Sequence, residues 1–293
     1  MNTDNASWFD DPCSSVFIRG LIGFSFKESQ RAMKKIWIGF GMACVMSLVG
    51  CGGGNPPETA KQAEPAAPAG GAAATPDEAN GATITGKVSF EGTAPKAKNI
   101  DMSANPVCTK AHAAAPAKTE DVVVNPNSTL KYAFVWIKSG LPADKTWQVS
   151  STPVMLDQNG CMYKPHVIGV MAGQQIDIKN SDPTNHNIHP QPQTNQEWNE
   201  SQPPGSADKM QTFGRQEVMI PVKCNIHPWM RSYIGVVAHP FFAVTGDDGT
   251  YTIKGLPPGT YTIEAWHEKY GTSDQTITVA PKDTKTQDFS FKG

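Results

Sequence analysis

Four residues in the second half of the chain have side chains that together suit a copper ion. Cys224, His227 and Met230 follow one another at the spacing Cys-x2-His-x2-Met, and His186 lies upstream of them. One thiolate, two imidazoles and a weak axial thioether are the ligand set of a blue-copper centre. The residue types and their spacing therefore predict one copper site at these four positions.

Each of these residues also has an ordinary structural interpretation. A lone Cys224 would be a buried free thiol, and a lone Met230 would fill a gap in a core. Zinc is the competing metal because it also takes Cys and His ligands, but a thioether ligand disfavours it. His189 should face away from His186 in an extended segment, and His166 is expected to be a structural residue, so neither is counted as a ligand.

The elements that must position these ligands resemble those of a cupredoxin. A strand pattern at residues 218–223 ends at Cys224, and a strand, a glycine turn and a second strand at residues 163–180 lead towards His186. The ligand loop is most similar to that of amicyanin, which has the same spacing and a Pro after the His. The resemblance implies a Greek-key β-sandwich that holds one type 1 copper ion through His186, Cys224, His227 and Met230.

The resemblance also implies roles for the neighbours of the ligands. Asn187 should hold the two ligand loops together and direct a backbone N–H to the thiolate. Pro228 and Trp229 should form an apolar docking surface for a redox partner around a partly exposed His227, unless Trp229 packs inwards. Ile226 stands where amicyanin has Pro, so its N–H could give the sulfur a second hydrogen bond and raise the copper potential.

The predicted copper site indicates one-electron transfer rather than catalysis, because copper with no open position does not bind a substrate. The sequence lacks the His-x-His pairs of further copper centres, and it has no Gly-x-Ser-x-Gly or His-Glu-x-x-His motif. A net charge of -2 gives no reason to expect nucleic acid as a partner. We expect an electron carrier between a redox donor and a redox acceptor. The alternative is a surface protein that holds copper, or binds carbohydrate or protein, without transferring electrons.

The N-terminal sequence predicts export and a lipid anchor. Lys34 and Lys35 precede an apolar stretch at residues 36–49, which is too short for a comfortable membrane span. The following Leu48-Val49-Gly50-Cys51 resembles the lipobox of bacterial lipoproteins, which implies cleavage before Cys51 and a lipid on its sulfur. An uncleaved anchor helix is the alternative. We therefore expect a lipoprotein in the bacterial periplasm or on the cell surface, in contact with the membrane through its lipid alone.

Three further features concern the start of the mature chain. Met33 stands just ahead of the basic pair, so residues 1–32 are expected to be an over-extended start or an odd leader. Gly52 follows the lipid-bearing Cys, and the lack of Asp there favours the outer membrane in a Gram-negative cell. Residues 51–82 are rich in Ala, Pro, Gly and Glu and poor in large apolar residues, which predicts a disordered tether.

Alternating strands on both sides of the cupredoxin-like segment predict a second β-sandwich. Asp-Gly and Pro-Pro-Gly turns separate such strands within residues 247–268, and this pattern resembles the carboxypeptidase regulatory-like domain. The usual opening strand of that domain resembles residues 85–90, which lie far upstream. We therefore expect residues 83–146 and 240–293 to form one sandwich, with the cupredoxin inserted between them. Tandem independent domains are the alternative.

The predicted fold class is all-β, with a cupredoxin Greek-key β-sandwich and a second small β-sandwich. The predicted segments are a leader or lipoprotein signal peptide at 1–50, a disordered linker at 51–82, a β segment at 83–146, the cupredoxin domain at 147–239 and the carboxypeptidase regulatory-like segment at 240–293.

The cysteines are consistent with this plan. None of the six lies in a Cys-x-x-Cys pair, which excludes the usual zinc ribbon and the thioredoxin motif. With the leader cysteines removed, Cys51 lipidated and Cys224 on copper, Cys108 and Cys161 remain outside the cytoplasm, where disulfides persist. A Cys108–Cys161 disulfide is therefore expected. His112 lies near Cys108, but those two residues alone are too few for a closed metal site.

Overall fold

A computed structural model describes residues 73–293, and every structural statement below concerns that part of the chain. It has one short helix and is otherwise built of strands, which confirms the predicted all-β class. The bounds are α1 Pro106–Ala111, β1 Ala82–Glu91, β2 Phe134–Ser139, β3 Val154–Gln158, β4 Tyr163–Lys164, β5 Val167–Met171, β6 Ile176–Asn180, β7 His186–Pro190, β8 Glu200–Gln202, β9 Lys209–Gln211, β10 Glu217–Lys223, β11 Arg231–Val237, β12 Phe242–Val244, β13 Thr250–Leu256, β14 Gly259–His267, β15 Gly271–Val279, β16 Thr284–Thr286 and β17 Phe289–Lys292.

The predicted signal peptide, the lipidation site Cys51 and most of the predicted linker lie outside the described residues. Within residues 73–293, no helix is long and apolar enough to cross a bilayer. The ordered chain begins earlier than residue 83. Ala74 pairs with Trp147, and its N–H donates to the carbonyl of Thr146 at 2.8 Å. The expectation of a disordered linker up to residue 82 is therefore wrong for its last residues, because their backbone groups find partners in the folded part.

Strands from both ends of the described chain share two sheets. In one sheet β1 pairs with β13, β16 and β17, and the other has the order β12-β2-β14-β15. Alternate residues of β1 are buried, so Ile84 and Val88 face the core between these sheets, opposite residues such as Ile263. We call this unit the split sandwich, because its strands come from residues 82–139 and 242–292.

The intervening segment forms a second pair of sheets that carries the candidate site. One sheet has the order β5-β11-β10-β7-β8, and the other has the order β4-β3-β6-β9. Parallel pairs, β5 with β11 and β3 with β6, lie beside antiparallel ones. Between the sheets, Leu156, Ile178 and Ile234 belong to a core that also includes Cys224 and Met230. The ligand-bearing loops thus start from strands whose inner faces are packed.

The two sandwiches meet through a third, smaller core. Phe134 of β2 lies against β5 and β11, where Gly169 and Gly235 are paired opposite each other. A Cβ on Gly169 would lie 2.6 Å from the Phe242 ring, and a Cβ on Gly235 would lie 2.7 Å from the Phe134 ring. Only glycine allows this close approach of a ring to the sheet. The glycine pair therefore helps to seat the split sandwich against the site-bearing one.

Candidate metal centre

The four predicted ligands are brought together at one end of the site-bearing sandwich. His186 begins β7, Cys224 directly follows β10, and Met230 directly precedes β11. The loop between these strands is closed by hydrogen bonds from the Met230 N–H to the His227 carbonyl at 2.9 Å and from the Cys224 N–H to the Met230 carbonyl at 3.3 Å. All four side chains are buried. The ends of three strands thus hold the four residues in one place.

The ligand atoms have separations that suit a single metal ion. The Nδ1 atoms of His186 and His227 are 2.9 Å apart, and the Sγ of Cys224 is 3.8 Å from Nδ1 of His227. These three atoms all lie within 4.8 Å of one another. Bonds of 2.0–2.3 Å to one tetrahedral ion would separate such atoms by roughly 3.3–3.6 Å. The cluster therefore fits one ion after small shifts of the ligand atoms. Met230 is packed in the same core as Cys224.

Asn187 joins the two ligand loops through its side chain. Its Oδ1 accepts a hydrogen bond from the Asn225 N–H at 2.7 Å and lies 3.3 Å from the Sγ of Cys224. Asn187 was predicted to hold the two ligand loops together, and in the structure its side chain joins the loop of His186 to the loop of Cys224. A hydrogen-bonded residue behind the ligands orients them before any ion binds.

The surroundings of Cys224 favour its thiolate form. Burial by itself would raise the pKa of the thiol, but its hydrogen bond with His186 and the backbone N–H groups of Asn187, His227 and Ile226 outweigh this effect. The net pKa of Cys224 is therefore below its ordinary value. The His227 N–H lies 3.4 Å from the sulfur. Because the thiolate is the form that binds metals, this environment prepares Cys224 as a ligand.

Asp182 orients His186, and the sequence analysis did not assign it a role. Its Oδ2 accepts a hydrogen bond from Nε2 of His186 at 2.9 Å, and its two oxygens also accept from the N–H groups of Gly160 and Cys161. Burial disfavours the charged form of both residues. The hydrogen bond with Asp182 nevertheless raises the pKa of His186. That bond, together with the two backbone N–H groups, lowers the pKa of Asp182. With its proton on Nε2, neutral His186 presents a free lone pair on Nδ1.

His227 is not the partly exposed ligand that the resemblance implied. It is 1% exposed, because residues 92–121, here called the covering segment, cross over it from the split sandwich. In this segment Asn105 Nδ2 lies 2.7 Å from His227 Nε2, and Cys108 Sγ lies 3.7 Å from the same nitrogen. The expectation was wrong because the covering residues come before the cupredoxin-like segment in sequence, in a part of the chain with no cupredoxin pattern.

A disulfide and a tryptophan hold the covering segment in place. Cys108 and Cys161 form the expected disulfide. Trp229 is half-buried, its Nε1–H donates to the Cys161 carbonyl at 3.0 Å, and its ring centroid lies 5.1 Å from that of His227. Trp229 therefore packs inwards, which is the second of the two arrangements considered for it. Pro228 and Ile226 are exposed. Of the two residues predicted to form the docking surface, Pro228 is exposed and Trp229 is half-buried.

The other histidines considered in the sequence lie outside the cluster. His166 shares a hydrogen bond with Glu268 at 3.2 Å, beside a cavity of about 640 Å³ that Trp229 also lines. His189 contacts Glu197, and His112 donates to the Gly160 carbonyl at 2.6 Å. None of the three belongs to a group of potential metal ligands among the described residues. His112 instead adds a second tie between the covering segment and the site-bearing sandwich.

Comparison with known protein families gives a match for the C-terminal part of the chain. Residues 236–292 match the model of the carboxypeptidase regulatory-like domain. No curated protein matches the sequence.

Similarity to solved structures is low. A copper-containing nitrite reductase from Thermus scotoductus SA-01 is 20% identical, with 31% of this chain and 23% of that chain covered and a TM-score of 0.28. A purple cupredoxin from Nitrosopumilus maritimus is 17% identical (28% and 98% covered, TM-score 0.25), and a methionine-to-alanine mutant of amicyanin in its Cu(I) form is 20% identical (35% and 97% covered, TM-score 0.26). The chain is thus similar to cupredoxins in part, and to carboxypeptidase regulatory-like domains over residues 236–292.

Proposed function

We propose that this protein is a blue-copper electron carrier, exported and anchored by a lipid on Cys51, that passes single electrons between redox partners. One observation carries the copper site. His186, Cys224 and His227 present their ligand atoms within 4.8 Å of one another in a buried cluster that also includes Met230. A thiolate, two imidazoles and a thioether favour copper over zinc.

The residues around the site support electron transfer rather than catalysis. When bound, copper would supply a reversible one-electron change. Asn187 and Asp182 anchor the two ligand loops, so the ligand positions need little rearrangement when the charge changes. The four ligand side chains are buried, and a closed set of protein ligands would offer a substrate no open position on the ion. We therefore propose that the protein is not an enzyme.

The proposed location depends on the N-terminal sequence. The basic pair, the short apolar stretch and Cys51 favour a lipoprotein of the periplasm or cell surface, with the outer membrane preferred. A Cys108–Cys161 disulfide is consistent with an oxidising compartment. Labelling with a radioactive fatty acid tests the anchor: we expect label in the natural sequence and none in Cys51→Ala.

One observation favours a second function, in which the protein holds copper without exchanging electrons. The resemblance to cupredoxins implies that electrons pass through His227. In this structure, however, His227 is covered by Asn105 and by the disulfide. A buried ligand edge lengthens the path from the ion to any docked protein. Storage would need the same ligands but no reversible electrochemistry.

Reconstitution with Cu(II) distinguishes the two functions. We expect one equivalent of copper to give intense thiolate-to-copper absorption, a type 1 EPR signal and a reversible one-electron wave in voltammetry. Cys224→Ser is the matched control and should lose all three. Copper that binds with the thiolate absorption but gives no reversible wave would favour the holding function. Copper that binds equally well to Cys224→Ser would refute the site itself.

A further inference from the structure

A cavity of about 640 Å³ lies where the covering segment, the site-bearing sandwich and the split sandwich meet. Its walls include the rings of Trp229, Tyr233 and Tyr270 and the stretch from Thr119 to Val122. His166 also lines the cavity and is 5% exposed. Cavities of roughly 300–1,000 Å³ with apolar walls and a few convergent polar groups are the usual sites for small molecules. The chemistry of the polar groups decides which class of molecule fits.

Two buried acceptor atoms lie close together in this cavity. Nε2 of His166 is 3.2 Å from Oε1 of Glu268, and it is the donor because an ionised carboxylate only accepts. Nδ1 of neutral His166 is then an acceptor, and it lies 3.8 Å from Oε2 of Glu120. Neither Nδ1 nor this oxygen has a hydrogen-bond partner among the residues that the structure describes. A group with at least two hydrogens to donate is needed to satisfy both atoms.

The surroundings of the two acceptors favour a cation. Glu120 and Glu268 contact the two nitrogens of the His166 ring, and their side chains are 26% and 10% exposed. The other oxygen of Glu120 accepts from the Tyr132 hydroxyl at 3.2 Å, which holds the carboxylate in place. Carboxylates and aromatic rings attract a positive charge more strongly where little water is present. An ammonium group combines this charge with the two donors that the acceptors need.

The remaining charged residues of the cavity lie at its exposed rim. They are Lys96, Lys98, Asp121, Arg231 and Lys269. Water and salt screen charges at such positions more than they screen buried ones. The two carboxylates beside His166 therefore set the charge of the interior.

We propose that this cavity binds a small primary amine as its ammonium ion, held between Nδ1 of His166 and Oε2 of Glu120. The apolar body of the amine lies against the rings of Trp229, Tyr233 and Tyr270. One nitrogen at about 2.9 Å from each acceptor can bridge two atoms that are 3.8 Å apart. This inference is independent of the proposed metal site, because none of these contacts involves a predicted metal ligand.

Three probes that share a benzyl group test the class of ligand in isothermal titrations of the whole protein at pH 7. Benzylammonium has a charge and N–H donors, benzyltrimethylammonium has a charge without these donors, and benzyl alcohol has no charge. We expect benzylammonium to bind with a Kd below about 1 mM, and the other two to bind at least about tenfold more weakly. Nuclear Overhauser contacts between the benzyl ring and the Trp229 indole should locate the probe. No binding of benzylammonium, equal binding of all three, or contacts away from the cavity would each refute the proposal.

The variant Glu120→Gln tests the acceptor pair itself. The Gln oxygen can still accept from the Tyr132 hydroxyl, while its NH2 group can donate to Nδ1 of His166, so the pair is satisfied within the protein. We expect benzylammonium to bind at least about tenfold more weakly than to the natural sequence.

Asp121→Asn is the matched control for this variant. It removes the same charge from the exposed rim of the same cavity, and it should weaken binding by less than about twofold. Equal losses in Glu120→Gln and Asp121→Asn would overturn the proposal, since general attraction between charges would then explain the binding.

Discussion

The two histidines of the candidate site lie in opposite hydrogen-bonding environments. His186 Nε2 faces a carboxylate oxygen of Asp182, which accepts, whereas His227 Nε2 faces the amide nitrogen of Asn105, which donates. The first environment leaves a lone pair on the ring nitrogen that points into the site. The second environment is supplied by a segment outside the cupredoxin-like unit, so the two imidazoles are held by different parts of the chain.

This difference follows from where each partner comes from. Asp182 lies four residues before His186 on the same loop, so both are positioned by the same two strands. Asn105 belongs to the covering segment, which is joined to the site-bearing sandwich by a disulfide and by His112. The His186 environment is therefore part of the cupredoxin-like unit, while the His227 environment is added by the split sandwich.

The largest expected effect comes from removing the thiolate ligand that both histidines accompany. Cys224→Ser should reduce copper affinity more than about hundredfold, because loss of a residue that merely orients a ligand already costs up to that much. Titration with Cu(II) followed by visible absorption measures it. Retained thiolate-to-copper absorption would contradict the assignment of Cys224, and with it the comparison of the two histidines.

Opening the covering segment should expose His227. The double variant Cys108→Ser/Cys161→Ser removes a cross-link between residues 53 apart, which should lower the free energy of unfolding by about 3–5 kcal/mol. Urea unfolding measures this change. Reaction of His227 with diethyl pyrocarbonate should also become faster in the double variant. An unchanged rate at His227 would show that Asn105 covers the ring without help from the disulfide.

The His186 side is probed by Asp182→Asn. We expect metal affinity to fall about 10–100-fold, because the amide no longer holds the Nε2 proton of His186 with a charged acceptor. Isothermal titration with Zn(II) provides the measurement, and Asp101→Asn serves as control, since Asp101 is exposed and bonds only to nearby Ser103 among the described residues. An affinity equal to that of the natural sequence would show that Asp182 does not help to orient His186 as a ligand.

The smallest effect is expected at the sulfur. Ile226→Pro removes the backbone N–H that helps to lower the pKa of Cys224, and we expect the copper potential to fall by roughly 20–60 mV, the equivalent of one hydrogen bond. Ile226→Ala keeps this N–H and should leave the potential close to that of the natural sequence. Voltammetry on both variants decides: equal potentials would show that the N–H of Ile226 does not tune the site.

Local motifs predict much of the site but little of what surrounds it. The spacing of Cys224, His227 and Met230 and the strand patterns before them are enough to place the four ligands in one loop pair. Asp182 could also have been found, since a carboxylate four residues before a ligand histidine is a natural partner for its second nitrogen. Asn105 has no such signal. It is an ordinary helix cap until the tertiary structure brings it to His227.

The predicted exposure of His227 and the docking role of Trp229 depended on the resemblance to single-domain cupredoxins. Such a resemblance describes the loop but not an insertion from another part of the chain. Here the covering segment adds Asn105 and the disulfide over His227, and Trp229 packs beneath it. A ligand's burial is a property of all the elements around it, so a motif cannot supply it.

By itself, the sequence determined the all-β class, the copper-type ligand set and the pairing of Cys108 with Cys161 as the expected disulfide. The first two follow from residue types, alternation and spacing, which act over a few residues, whereas the disulfide follows from the roles assigned to the other cysteines. Only the tertiary structure decided which partner each histidine has and which residues cover His227. Those contacts include one between Asn105 and His227, which are 122 positions apart. Hydrogen-bond direction depends on such contacts, and no local pattern encodes them.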